Sequence, residues 1–393
     1  MKRSIYIILS FLFFAVNANT QTSVDSVLSS ISRNNKTIIA NNQNWEAKKL
    51  EFSTGLSPSD PKVAFDYLNG FPAGAGNETE FTITQSFDFP TAYSKKSDLA
   101  DEQIKLAEFH KISTRQNILL EAKLICIELV YRNKVNAELS KRKNSTEKWL
   151  NDFQTKLDKG EGNILDVNKA RIQLIEINAL FQENISAINQ LNQKLTGLNG
   201  GNTVKFTDTV YSPLPPISDF ETLLNKIEAN DPVLKYMAQE NIIAEKQVEL
   251  SRAMALPKFE AGYRYQGILD QNFHGAHFGF TIPLWENNNK VEARKADLEF
   301  NRINLEKHQN ELHYNIKQKY EKLSNLRITL NEYDDLFNSL NNLELLDKAL
   351  SLGHISSIEY FMEMRYFYDA LRNYLETEKE YHQTIAELYK FQL

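Results

Sequence analysis

Few side chains in this 393-residue chain are arranged to do chemistry. There is no glycine loop of a nucleotide site, no HExxH and no G-x-S-x-G, so no catalytic set is expected. The histidines are His110, His274, His277, His308, His313, His354 and His382. Only His274 and His277 stand close together, in "DQNFHGAHFG", which reads as a hairpin loop. Two imidazoles supply too few ligands to hold a metal. The single cysteine, Cys126, lies in the apolar run "LEAKLICIELVY" and reads as a small buried hydrophobe. Neither metal nor cofactor is implied. Two carboxylates remain, at matched places. "KGEGNILDV" (159–167) and "LGHISSIEY" (352–360) each put an acidic residue six positions after a glycine: Asp166 after Gly160, and Glu359 after Gly353.

These glycines close two long blocks. Pro90 is followed by no proline or glycine until Gly160, and Pro283 by none until Gly353. Both gaps are 70 residues, and the blocks are offset by 193. "FDFPTAYSKKSDLAD" (87–101) and "FTIPLWENNNKVEARKAD" (280–297) both carry a strand through a proline into a charged helical pattern. The chain therefore reads as a duplication. The first repeat is 19–200, with strands about 60–90, a long helix about 91–159 and a returning helix about 163–196. A Gly- and Pro-rich linker, 197–218, precedes the second repeat, 219–393. There the strands are about 257–283, the long helix about 284–352 and the returning helix about 354–393. At 1.5 Å per residue each long helix would reach roughly 100 Å. Ile316, Leu323, Leu330 and Phe337 recur every seven residues, with Leu326, Tyr333 and Leu340 three after the last three, a seam that packs knobs into holes. The apolar band from Ile118 to Tyr131 is broader and implies burial on more than one side.

The strands alternate with the other period. Phe81, Ile83, Phe87 and Phe89 oppose Thr82, Thr84, Ser86 and Asp88, while Phe259, Ala261, Tyr263 and Tyr265 oppose Glu260, Gly262, Arg264 and Gln266. Val63, Phe65 and Tyr67 alternate likewise, as do Phe278, Phe280 and Ile282. One strand of this kind suits any half-buried sheet. Four of them, rich in Phe and Tyr, suit an outer-membrane barrel with lipid outside and water inside. The start of the chain agrees. Lys2 and Arg3 precede an apolar core and a small-residue site near Ala18, so 1–18 reads as a cleavable signal peptide. No cysteine stands directly after it, so the chain is not expected to be lipidated. Four strands cannot enclose water, because the smallest membrane barrels need about eight. The chain should oligomerise, and three copies would supply twelve strands.

The duplication, the block "NDPVL…LPKFEAGYRY", the junction "FTIPLWENNNKVEARKADLE" and the paired turns at Gly160 and Gly353 together resemble the TolC family of outer-membrane efflux ducts. The resemblance covers nearly the whole chain after the signal. It implies a mixed α/β membrane protein with a duplicated helix–strand–strand–long-helix–helix repeat. It also implies a homotrimer in which four strands per chain build a twelve-stranded barrel in outer-membrane lipid, continued by a long α-helical coiled-coil tunnel in the periplasm. A periplasmic adaptor (membrane fusion) protein and an inner-membrane pump are the implied partners. Glu359 matches the family position whose acidic side chains ring the tunnel entrance. Asp166 would lie farther out and help latch it. Met362 stands where relatives can carry a second acid, and Ile355 where a basic residue is common. Gly160, Asn163, Gly353 and Ser356 fall on turns that would dock the adaptor, and Tyr93 and Trp285 where interfacial aromatics belong.

The implied function is passive conduction of exported solutes. Two alternatives stay open: the exit duct of a heavy-metal cation pump, and a secreted coiled-coil structural or adhesin protein without a pore. The net charge of -6 leaves no basic footprint for nucleic acid, and "LSKRKNSTEKW" reads as a solvated helix face or an adaptor contact.

Overall fold

The computed structural model describes residues 23–339 and 342–393. The proposed signal peptide and Leu340 lie outside them. Each half opens with two helices: α1 (Val24–Asn34) and α2 (Lys36–Phe52) in the first, α5 (Phe220–Asn230) and α6 (Pro232–Met254) in the second. One residue joins each pair, ending one helix and capping the next. Asn35 Oδ1 accepts from the Ile38 N–H at 3.0 Å, and Asp231 Oδ1 from the Val233 and Leu234 N–H groups at 2.8 Å. Both take extended backbone angles, which turn the chain without glycine. The strands follow, β1 (Lys62–Asn69) with β2 (Asn77–Phe87), and β3 (Lys258–Ile268) with β4 (Gln271–Thr281).

The four strands form one antiparallel sheet in the order β1-β2-β3-β4. Its register sets Phe65, Phe81, Tyr265 and His274 in one row, so the apolar side chains share a face. That face is bare: Phe278 is 80% and Phe280 70% exposed. The opposite face is polar. Arg264 pairs with Glu80 at 2.6 Å, and His277 Nε2 meets Glu260 Oε1 at 3.1 Å. His274 and His277 thus belong to strand β4 and not to a hairpin loop. The turn is only Leu269 and Asp270, both with positive φ, so pairing resumes at once at Gln271.

Below the sheet, α3 (Pro90–Asp158) runs 69 residues without a break. Pro90 sits where a helix loses nothing by lacking an N–H. It returns as α4 (Ile164–Leu198), and in the second half α7 (Lys290–Ser339) and α8 (Asn342–Ser351) return as α9 (Ser357–Leu388). The second long helix starts at Lys290, later than the proline at 283 implies. Residues 284–289 form a turn, and Asn289, at φ 62, accepts from the Ala293 N–H at 2.9 Å to begin the helix. Among the described residues no helix is long and apolar enough to cross a membrane.

Two cores repeat the duplication. Val27, Leu28 and Ile31 of α1 pack with Leu119, Cys126 and Leu129 of α3 and Leu195 of α4. Leu223, Leu224 and Ile227 of α5 pack with Ile316 and Leu323 of α7 and Ile385 of α9. The heptad seam of α7 continues toward α9 through Phe337, whose ring lies 5.7 Å from that of Phe367. Burial pushes the Cys126 thiol up to about 12, which keeps it unreactive. The linker is tied down along its length. The Phe206 N–H donates to Asn192 Oδ1 at 3.1 Å, and its ring is fully buried in the first core.

Truncating that ring leaves a cavity in a core built from three separate segments. Phe206→Ala should cost roughly 3–5 kcal/mol and lower the thermal midpoint followed by circular dichroism. Val210→Ala, exposed four residues later, should leave the midpoint in place.

Candidate functional site

The two long helical hairpins turn at the same end of the molecule. At the first turn Gly160 has φ +77; its N–H donates to the Leu157 carbonyl at 2.9 Å, and the Glu161 N–H to Lys156 at 2.9 Å. At the second, Gly353 has φ +71; its N–H donates to Leu350 at 3.1 Å, and the His354 N–H to Ala349 at 2.9 Å. Both are Schellman closures, which satisfy the last carbonyls of a helix and favour a left-handed residue. A Cβ at either glycine would meet nothing within 4 Å, so both turns face open space. Gly162 differs, because a Cβ there would fall 2.5 Å from the Leu157 nitrogen. The spacing of the two repeats singles out Gly160 and not this tighter position.

The returning helices start from capping side chains. Asn163 Oδ1 accepts from the Leu165 N–H at 2.9 Å. Ser356 and Glu359 form a reciprocal capping box: the Glu359 N–H donates to Ser356 Oγ at 3.3 Å, and the Ser356 N–H to Glu359 Oε2 at 2.8 Å. That backbone hydrogen bond holds the Glu359 carboxyl below its ordinary range, although the side chain is exposed. Asp166 is held differently. Ser357 Oγ donates to Asp166 Oδ1 across the two halves, and Lys169 Nζ stands 3.7 Å away. One carboxylate thus caps its own helix at the surface, while the other ties the first hairpin to the second.

Beneath the turns lies a third core of Phe153, Val167, Ala170, Leu350 and Tyr360. Tyr360 is 2% exposed; its hydroxyl donates to Asp347 Oδ1 at 2.8 Å and accepts from Trp149 Nε1 at 3.0 Å. Burial raises its pKa far beyond the ordinary phenol, so it stays a neutral donor. This three-way link joins α3, α8 and α9. Neither it nor Ser357 stands out in the sequence, because the partners lie up to 211 positions apart.

The remaining candidates sit at the sheet end. The Asp88 N–H donates to the Tyr93 hydroxyl at 2.9 Å, and Lys96 pairs with Asp88 at 2.8 Å while lying 5.4 Å over the Tyr93 ring. Tyr93 therefore braces the passage from β2 into α3. Trp285 lies in the turn before α7 and is 78% exposed. Both follow strands that finish at the same end of the sheet, where the register aligns Phe87, Phe259 and Phe280.

Comparison with family models and with curated proteins finds no match to this sequence. Solved structures do match in shape. A structure of CusC, reported in connection with transmembrane channel formation, superposes with a TM-score of 0.72 at 14% identity, covering 95% of this chain and 92% of that one. The CmeC outer membrane channel of Campylobacter jejuni gives 0.71 at 14% identity, over 94% of this chain and 85% of the other. The outer membrane protein VceC of Vibrio cholerae gives 0.72 at 11%, over 94% and 95%. At these identities the likeness is one of fold: the four-stranded sheet and the long paired helices of this chain follow the architecture of the TolC-family outer-membrane channels.

Proposed function

We propose that three copies of this chain form an outer-membrane channel. It would pass solutes passively to the outside from a periplasmic adaptor and an inner-membrane pump. The observation that carries this reading is the sheet. Its apolar face is bare along all four strands, and β1 and β4 have open outer edges. Because β1 and β4 run in opposite directions, β4 of one copy can pair antiparallel with β1 of the next. Three copies then close twelve strands, with Arg264, Glu80, Glu260 and His277 turned to the water inside. The helices continue as a tunnel into the periplasm, and the fold shared with outer-membrane channels supports the same assembly. The signal peptide, the absence of a lipid anchor and the two repeats with their linker belong to this reading, as do Tyr93 and Trp285 at the membrane interface.

The purified protein in detergent should run as a homotrimer by light scattering, with a barrel whose gel mobility changes on boiling. In planar bilayers it should conduct. A stable monomer without detergent would overturn the barrel.

The turns at Gly160, Asn163, Gly353 and Ser356 would receive the adaptor. Space around both glycines is open, so a bulky residue clashes with a partner before it clashes with the chain. Its cost within the chain is the left-handed backbone alone, about 1–2 kcal/mol. Gly160→Trp and Gly353→Trp should therefore keep the trimer and abolish efflux in cells carrying the cognate pump and adaptor. Undiminished efflux in both variants would remove the turns from the docking surface.

Threefold symmetry would bring three Glu359 carboxylates together at the tunnel entrance, where like charge favours cations. Gln keeps the capping geometry and removes only the charge. Glu359→Gln channels should lose much of their cation preference and their block by multivalent cations, with unchanged trimer stability. The folded carboxyl is depressed, so its charge persists as pH falls. The native preference should persist to a pH below that at which an ordinary glutamate loses its charge. Asp166→Ala and Ser357→Ala each remove one hydrogen bond between the hairpins and should raise open probability. Wild-type selectivity in Glu359→Gln would place that residue away from the constriction.

A further inference from the structure

Between α3, α4 and α9, above the tip core, runs a groove of about 630 Å³. That is within the size range of small-molecule sites. Its walls mix polar and charged groups with an apolar and aromatic strip made of Leu139 and Trp149 from α3, Ile177 from α4, and Met364, Tyr368 and Leu375 from α9. Two polar groups inside it lack partners among the described residues. Asn184 is 3% exposed; its amide nitrogen donates to the Arg132 carbonyl at 2.9 Å, and its Oδ1 meets nothing. Arg142 lies with its guanidinium 4.0 Å from the centre of the Tyr368 ring, and its buried Nε has no acceptor.

None of the five acids lining the groove pairs with it: Glu176 accepts from Gln173 at 3.1 Å, Glu376 from the Tyr131 hydroxyl at 3.3 Å, and Glu183 is exposed to solvent. Asp369 holds Arg372 at 3.3 Å and Arg365 at 3.8 Å. Glu138, one turn before Arg142, is itself disfavoured as a carboxylate by burial. Burial equally disfavours the charge on Arg142. A half-buried guanidinium stacked on one face, with its Nε buried and unpaired, is costly to keep. The cation–π contact offsets part of that cost and leaves the hydrogen-bonding edge free. The ordinary partner of such an edge is a planar oxyanion held by two parallel bonds.

We propose that this groove binds an amphipathic organic anion. Its carboxylate or sulfonate would meet Arg142, a hydroxyl or amide N–H would donate to Asn184 Oδ1, and its apolar body would lie against Trp149, Tyr368 and Ile177. The proposal deepens the channel reading, on which it rests only in taking the ligand as cargo. Binding itself needs no open pore.

N-(2-naphthoyl)glycine combines a carboxylate, an amide donor and an aromatic body, and its methyl ester lacks only the charge. Equilibrium dialysis against the full-length protein in detergent should show one saturable site per chain for the acid and at least about tenfold weaker binding of the ester. Arg142→Met should weaken the acid about tenfold or more. Arg365→Met, at the solvent-exposed rim, should bind within about twofold of the native protein. Arg142→Met should also assemble normally and melt no lower than the native protein, because it removes a half-buried charge whose Nε has no partner. Equal binding of acid and ester, full binding by Arg142→Met, or no binding by the native protein would each overturn the proposal. So would an Arg142→Met protein that melts several degrees lower, since the arginine would then be structural. Conductance of the same preparation is read separately, so a failed ligand and a failed channel are told apart.

Discussion

A strand at the edge of a sheet carries a row of backbone N–H and C=O groups without partners, and this sheet has two such rows. In water they would be hydrated and the apolar face would not. In lipid the face would be content and the edges would not. Neither solvent suits a single copy, so the sheet is incomplete by construction. Closure on further copies removes both faults at once, since it pairs the edges and turns one face to lipid and the other to water. The junctions answer to the same demand. Asp88, Tyr93 and Lys96 lock the exit of β2 to the start of a 69-residue helix. The orientation of the strands is thereby passed to the helices beneath them.

The helices meet a different constraint. A helix of roughly 100 Å cannot be held by one core. Here each half has its own core near the paired short helices, and both halves share a third at the tip. Packing is incomplete between the upper cores and the tip. It contains the groove with its unpaired Arg142 and Asn184. Polar groups left unsatisfied there are a local expense in stability, borne where three helices leave room for another molecule.

Much of the fold class was legible in the sequence because its signals are local and periodic. Alternation of apolar side chains reports the strands, and prolines and glycines report where the long helices start and stop. The failures were also local in origin. His274 and His277 read as loop residues because Leu269 and Asp270 give no glycine signal, yet both adopt positive φ and close a two-residue turn. The start of α7 at Lys290 depends on Asn289 entering the left-handed region, which the proline at 283 does not report. The site was less legible. The Ser356 and Glu359 spacing is a capping-box signature that the sequence does carry. The link from Trp149 through Tyr360 to Asp347 is not, since periodicity says nothing about which distant helices meet.

The capping box bears on what Glu359 can do. A carboxylate has two oxygens, and the backbone of Ser356 uses only Oε2. The contact therefore removes none of the charge. It stabilises the ionised form, as does the partial positive charge at the start of α9. It also restricts the side chain to the helix end, so threefold-related carboxylates could not swing apart to relieve their repulsion. An unrestrained surface glutamate in a crowded ring would tend to take up a proton or turn away. One fastened to its own helix N-terminus resists both, so the element that caps the helix is also the element that would keep a ring of charge in place.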